Sequence, residues 1–257
     1  MKKIIACLLV IIFSDSFGQQ DTSFFNRSWK PCKRGSAEYY RLIRLQGKNL
    51  LVTDYYMNHV IQMQAECLQA DTIIRNGKAT FYDRQGRVLS EGMYTNNVET
   101  GTWSFTSYFN DGSKYSTGFL TDNKLLDSTL TFYYRNGNPY STGFYTNDTL
   151  HGTKTFFRDD GSVQITTDYA KGKQDGWYIE YSKSGLKRYE EEYRQGKRTG
   201  NKRLYFTSGQ LQGDFHWTER GLNGYKIWYY ENGEIQSKVT FENGKRTKVV
   251  RSGRLVQ

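Results

Sequence analysis

The chain has 257 residues, with 36 lysines and arginines against 26 aspartates and glutamates, for a formal net charge of +10 at neutral pH. Aromatics make up 16% of it, while histidine and cysteine occur three times each. So few of either argues against a zinc-type centre and against a small fold held by many disulfides.

Residues 1–18 read as a secretory signal peptide. Lys2-Lys3 is a positive start, Ile4–Phe13 an apolar run of ten, and Ser16-Phe17-Gly18 puts small residues at the −3 and −1 sites of a cleavage after Gly18. The run is too short to span a bilayer. Cys7 lies inside it, badly placed for attaching a lipid. Losing Lys2, Lys3 and Asp15 leaves 34 basic against 25 acidic residues, a net +9. The expected location is periplasmic, outer-membrane associated or secreted. Cys32 and Cys67 remain, and in an oxidising compartment a disulfide between them and a pair of buried thiols are equal alternatives.

Residues 19–51 lack the regular glycine spacing found in residues 52–244. Trp29-Lys30-Pro31-Cys32 and Glu38-Tyr39-Tyr40-Arg41-Leu42-Ile43 suggest a strand-containing lead-in. Its expected role is to cap the first repeat, which has no neighbour to cover its edge.

Residues 52–244 are a repeat. Glycine recurs at Gly86, Gly112, Gly137, Gly161, Gly185, Gly209 and Gly233, in steps of 26, 25 and then 24 residues. Four residues before each stands an aromatic: Tyr82, Tyr108, Tyr133, Phe157, Tyr181, Tyr205, Tyr229. Fifteen after comes a second glycine in five units, replaced by Asp127 and Lys248 in the others. A degenerate unit upstream has Tyr55-Tyr56 before Asn58-His59, with His59 in the glycine's place. Short aromatic- and Thr-rich runs between such turns predict β-hairpins. Only Pro31 and Pro139 could break the ladder. The fold class is therefore all-β: an elongated antiparallel β-hairpin repeat array of about 24 residues per unit and about sixteen strands.

The hydrophobic phase selects the turn. A three-residue loop closed by a left-handed glycine places position −4 with +2, +4, +6 and +8, where one unit has Val163, Ile165, Thr167 and Tyr169. That is the more apolar face, so the turn glycines are needed for positive φ. Ser-x-Gly at +4 and +6, as in Ser90/Gly92 and Ser141/Gly143, leaves room for neighbouring rings to cross the strand.

Residues 245–257 form a tail with five basic residues, Lys245, Arg246, Lys248, Arg251 and Arg254, and no acidic one. It reads as a solvated end that blocks edge pairing, or as a contact for anionic lipid or polysaccharide.

Catalytic patterns are missing. His59, His151 and His216 share no metal-ligand spacing, and no Gly-x-Ser-x-Gly elbow or phosphate loop occurs. Asp159-Asp160-Gly161 is in register a hairpin turn, and Glu190-Glu191-Glu192 alternates across a strand. The expectation is a non-enzyme with no cofactor, no metal and no nucleic-acid partner. Its binding-face candidates are Tyr133, Phe157, Tyr181, Tyr205 and Tyr229.

Tyr-Tyr-x-Asn-Gly, a polar strand and then Asn-Gly-Lys-x-x-Gly resembles the variant MORN repeat, which bacterial YwqK-like antitoxin components share. The likeness is carried by Tyr229–Lys245, Tyr205–Gly224, Tyr181–Gly200 and Tyr108–Asp127. It implies a MORN-like meander with a binding or scaffolding role. The expected function is an exported scaffold that binds a protein partner in the cell envelope. The alternatives are a binder of envelope glycan or anionic lipid, and an antitoxin or immunity-type protein.

Overall fold

The computed structural model describes residues 22–69, 72–122, 124–125, 127–218, 223–251 and 254–256. The expected leader lies outside them. The chain divides into two compact units: the residues up to Ser107 together with Phe119–Lys124, and Tyr108–Gly118 together with the residues from Leu125 onward.

The first unit holds β1 (Ser23–Phe25), a 3₁₀ turn at Arg34–Ser36, β2 (Tyr39–Gln46), β3 (Asn49–Tyr56), β4 (Ile61–Gln69), β5 (Ile73–Tyr82), β6 (Val88–Thr95) and all but the last residue of β7 (Val98–Tyr108). Each strand pairs antiparallel with the next. β8 (Lys114–Thr121) contributes residues to both units.

The second unit continues with β9 (Ser128–Tyr133), β10 (Pro139–Thr146), β11 (Thr149–Phe157), β12 (Val163–Ala170), β13 (Lys173–Tyr181) and β14 (Lys187–Arg194). It ends with β15 (Lys197–Tyr205), β16 (Leu211–Trp217), β17 (Gly224–Tyr229), β18 (Ile235–Glu242), β19 (Lys245–Arg251) and β20 (Arg254–Val256). Here too each strand from β8 on pairs antiparallel with its successor. β3 to β18 are the sixteen strands of the repeat region. The lead-in and the tail add β1, β2, β19 and β20, since each meets a strand edge with free backbone groups.

Two kinds of turn alternate. At the ruler glycines the loop has three residues: Gly86 N–H donates to Asp83 C=O (3.0 Å) and Asp83 N–H to Arg87 C=O (2.9 Å). The same pair of bonds recurs at Gly112, Gly137, Gly161, Gly185, Gly209 and Gly233, with φ between +79° and +93°. His59 takes the position at φ +65°. So does Trp29 at φ +58°, closing Asn26–Lys30, so the lead-in carries a repeat turn that its sequence conceals. Opposite strand ends are joined by two-residue turns such as Asn96-Asn97, Asn147-Asp148, Gln195-Gly196 and Asn243-Gly244. Both central residues there have positive φ, the geometry that matches strand twist.

Seven of the repeat hairpins also have a second irregularity. Tyr82 pairs with Val88, but Phe81 pairs with Ser90, so Leu89 is an extra residue. The same shift leaves out Gln62, Tyr140, Gln164, Arg188, Gln212 and Gln236. Beyond this bulge it is position −5 that joins +4 and +6, and the −4 aromatic turns to the other face. The face expected for the −4 ring is thereby corrected.

In the first unit that shared face builds a core of Leu50, Val52, Met63, Ala65, Cys67, Ala79, Tyr94 and Trp103, with Ile43, Ile73 and Phe81 against it. The Trp103 ring lies over Gly92, where a Cβ would come within 2.2 Å of it. The second unit has a different interior: its buried residues are mainly small or polar, among them Ser128, Ser141, Thr167, Glu190 and Glu191, with Phe215 and Ile227.

Candidate functional site

The five −4 aromatics do not form an exposed platform. All are half-buried. Tyr133 shares a hydrogen bond with Thr117 Oγ1 at 3.0 Å, and Tyr205 donates its phenol to Glu190 Oε1 at 2.6 Å. Burial and that bond push the Tyr205 phenol above its ordinary range. Parallel rings occur elsewhere among the described residues, in Trp29–Tyr39 (4.4 Å, 8°) and Tyr40–Tyr55 (4.8 Å, 6°).

Two exposed rings of the second unit stand three residues after a turn glycine, and Tyr140 is one of the bulge residues. Tyr115 is 44% exposed and Tyr140 43%. Tyr115 meets Phe109 (5.1 Å) and Phe132 (5.5 Å) edge to face. Tyr140 meets Tyr134 (5.2 Å) and Phe156 (5.8 Å) in the same way. A cation lies on the outer ring of each triad: Arg135 over Phe109 at 4.7 Å and Lys154 over Phe156 at 5.0 Å. Phe144, also exposed, lies on the opposite face of β10 from Ser141 and Gly143. Position +3 is mixed in the sequence, with Leu89, Gln164 and Arg188 beside Tyr115 and Tyr140, and at Tyr140 it is the bulge that gives the ring its side of the sheet.

The three consecutive glutamates are acceptors in structural networks. Glu190 is 2% exposed and takes Lys187 Nζ (2.7 Å), Arg203 Nη1 (2.9 Å) and the Tyr205 phenol. Burial alone would raise its carboxyl; the three donors outweigh that and hold it below the usual range. Glu191, on the other face, accepts from Tyr189 (2.6 Å) and Tyr193 (3.1 Å) and pairs with Arg198 (3.2 Å).

His59 shares a hydrogen bond with the Tyr40 phenol at 2.9 Å. His216 Nδ1 is 2.5 Å from Asn201 Oδ1, at the rim of a cavity of about 350 Å³. His151 stands opposite Phe144 in the ladder. No group of three His, Cys, Asp or Glu residues is placed to hold a metal among the described residues. No described helix is long and apolar enough to cross a membrane.

Cys32 and Cys67 are both free, which corrects the disulfide alternative. Cys67 is sealed into the core between β3 and β5, while Cys32 is half-buried beyond the lead-in turn, its N–H bonded to Phe24 C=O. Burial pushes the Cys67 thiol up to about 11.

The tail is a paired strand. Lys245, Arg246, Lys248 and Arg251 are exposed on β19. Arg246 and Arg251 stand opposite Phe241 and Ser237, and Lys248 opposite Thr240, so the charges are divided between the two faces. The Arg254 side chain lies outside the described residues.

Residues 126–147 and 222–243 match the family described as the MORN repeat variant. Each match covers one three-residue turn and the strands on either side of it, β9–β10 and β17–β18. No curated protein matches the chain. Among solved structures it is similar to a Photorhabdus luminescens Tc holotoxin pore with a mutated TccC3, at 11% identity and TM-score 0.23, over 91% of this chain and 15% of that one. It is also similar to the TcdB2-TccC3-Cdc42 crystal structure, at 12% identity and TM-score 0.19, over 91% and 17%. The chain thus spans less than a fifth of the length of these structures.

Proposed function

We propose that the protein is an exported, non-enzymatic repeat scaffold that binds a protein partner in the cell envelope. The observation that carries this is the pair of ring triads centred on the exposed Tyr115 and Tyr140, each with a cation on its outer ring. Exposed aromatics beside arginine are what protein interfaces select, and a rigid ring costs little entropy to bury. The two MORN-variant matches support the scaffold role. Kinship with YwqK-like proteins, and with it an immunity role, belongs to the same reading at the level of the repeat.

The test is crosslinked affinity capture by the mature protein from its own envelope, beside a Tyr115→Ser/Tyr140→Ser double variant. One protein enriched by the parent and lost by the variant is the expected result. Equal recovery by both removes the ring triads from the reading. Recovery of lipid or glycan alone, abolished by salt, would replace it with an anionic contact through Lys245, Arg246, Lys248, Arg251 and Arg254.

A further inference from the structure

Tyr115 and Tyr140 hold equivalent places in neighbouring hairpins of the second unit. Ser116 pairs with Phe132 and Phe132 with Ser141, so the two tyrosines, each one residue earlier, stand two strands apart at the same level of the sheet. Phe132 and Phe156 are both opposite Ser141 and share a face. Tyr115 meets the first ring and Tyr140 the second, edge to face. Both tyrosines therefore lie on that face and lean toward the strand that follows. Adjacent strands are about 4.7–4.9 Å apart, which separates the two attachment points by about 9.4–9.8 Å.

Both phenols are free donors. Neither has a hydrogen-bond partner among the described residues, and both rings are exposed. The same group closes on a backbone carbonyl elsewhere in the chain, Tyr134 on Phe157 at 2.8 Å.

Spacing and donors together select a backbone. A polyproline II helix rises about 3.1 Å per residue with three residues per turn, so one side recurs at about 9.3 Å, and its carbonyls have no internal partner. An α-helix returns to one side after seven residues, at about 10.5 Å, with its carbonyls already bonded. A β-strand repeats every second residue, at about 6.6–6.8 Å. Only the first offers open acceptors at the interval of the two phenols.

Charge distinguishes the ends. Arg135, over Phe109, is paired with Asp111, while Lys154, over Phe156, has no ion pair among the described residues. The open cation is on the β11 side, where a ligand carboxylate would complete it.

We propose that the ring triads bind a proline-rich protein segment in the polyproline II conformation. It crosses the strands with a proline on the rings at every third residue and an acidic residue at the Lys154 end, and Tyr115 and Tyr140 donate to its carbonyls. Proline fixes φ before binding, which lowers the ordering cost. The proposal rests on the triads being the partner site and names that partner's chemistry.

The test is fluorescence polarisation of short labelled peptides with protein beginning at Gln19. A peptide with proline at every third position and a terminal glutamate should bind with a dissociation constant of about 100 μM, as suits two small ring sites. The same composition with proline at every fourth position should bind at least about tenfold more weakly. Tyr115→Phe/Tyr140→Phe keeps the rings and deletes the donors, and should weaken binding about tenfold. Tyr115→Ser/Tyr140→Ser should abolish it, and Lys154→Glu should turn the preference toward a lysine-ended peptide. No saturable binding, equal affinity for the two spacings, or binding that survives Tyr115→Ser/Tyr140→Ser overturns the proposal. Envelope capture that depends on Tyr115 and Tyr140 while no proline peptide binds would discard the polyproline ligand and leave the partner reading standing. Spacing-selective, tyrosine-dependent peptide binding with equal envelope capture by parent and variant would keep the ligand class and remove the envelope partner.

Discussion

The phenol of Tyr134 donates to the backbone carbonyl of Phe157, 2.8 Å away and 23 residues along the chain. The relationship recurs in three units: the residue three before the turn position reaches the carbonyl of the −4 aromatic in the next unit. Tyr56 does so to Tyr82 (2.9 Å) and Arg158 to Tyr181 (2.5 Å). Nearer the turn, Asn58 reaches Arg84 C=O and Asn136 reaches Asp159 C=O. Successive turns are thus tied by side chains as well as by strands. Tyr134→Phe, which deletes only the donor, should cost about 1 kcal/mol, read as a lower urea midpoint at unchanged slope. An unchanged midpoint would mean that the bond is replaced by water at no cost.

Gly233 and Gly200 are both left-handed but for different reasons. At Gly233, φ is +86° and a Cβ would meet nothing within 4 Å. Gly233→Val should therefore lose about 1–3 kcal/mol by strain alone, and Gly233→Asn much less. At Gly200 an added Cβ meets the Trp217 backbone, so even Gly200→Ala should lose about 3 kcal/mol or more. Thermal melts of the three variants give the order directly, and equal losses at the two sites would refute the distinction.

Much of this was legible in the chain. The spacing of Gly86 to Gly233 predicts the three-residue loop, because a residue at +86° must be glycine or bear strain. Ser-x-Gly predicts ring room, which Trp103 takes above Gly92. The bulge at +3 was not legible, since Leu89, Tyr140, Gln164 and Arg188 have no feature in common. Without it the −4 rings fall on the wrong face and Tyr140 has no assigned side. The turn at Trp29 was concealed for a related reason: a bulky residue fills a position that elsewhere requires glycine, held there by its stack on Tyr39. The cavity at His216 depends on a hydrogen-bond chain across three strands, which no local pattern encodes.

Stability should fall at both ends of the pH scale. The Glu190 carboxyl is held below its unfolded value of about 4.3. Its contribution is present above that pH and lost as pH falls through the folded value. The Tyr178, Tyr189 and Tyr205 phenols are raised by burial and by bonds to Glu180, Glu191 and Glu190. Their contribution is present below the unfolded phenol value of about 10 and lost as pH rises through the folded values. Glu190→Gln should flatten the acid limb of a melting-temperature profile and, on the alkaline limb, remove only the share of Tyr205, leaving those of Tyr178 and Tyr189. A variant with an unaltered acid limb would exclude Glu190 as its source.

The two cysteines should separate cleanly by reactivity. In protein beginning at Gln19, Cys32 should react with a thiol reagent at pH 8 in the native state. Cys67, buried and pushed up to about 11, should react only on unfolding. One fast thiol and a second released by denaturant is the expected count. No free thiol after denaturation would show that the secreted protein joins them.

The even 24-residue phase of the later turns has a mechanical consequence. Neighbouring strands of a meander are joined by hairpins, so a pull along the chain opens them from one end, as a zipper opens, instead of shearing many bonds together. Each unit let go would yield about 80 Å of contour, from 24 residues at roughly 3.3–3.6 Å each. Held at its two ends, such a chain would lengthen in equal small steps at low force, extending between its attachments while its remaining turns stayed folded.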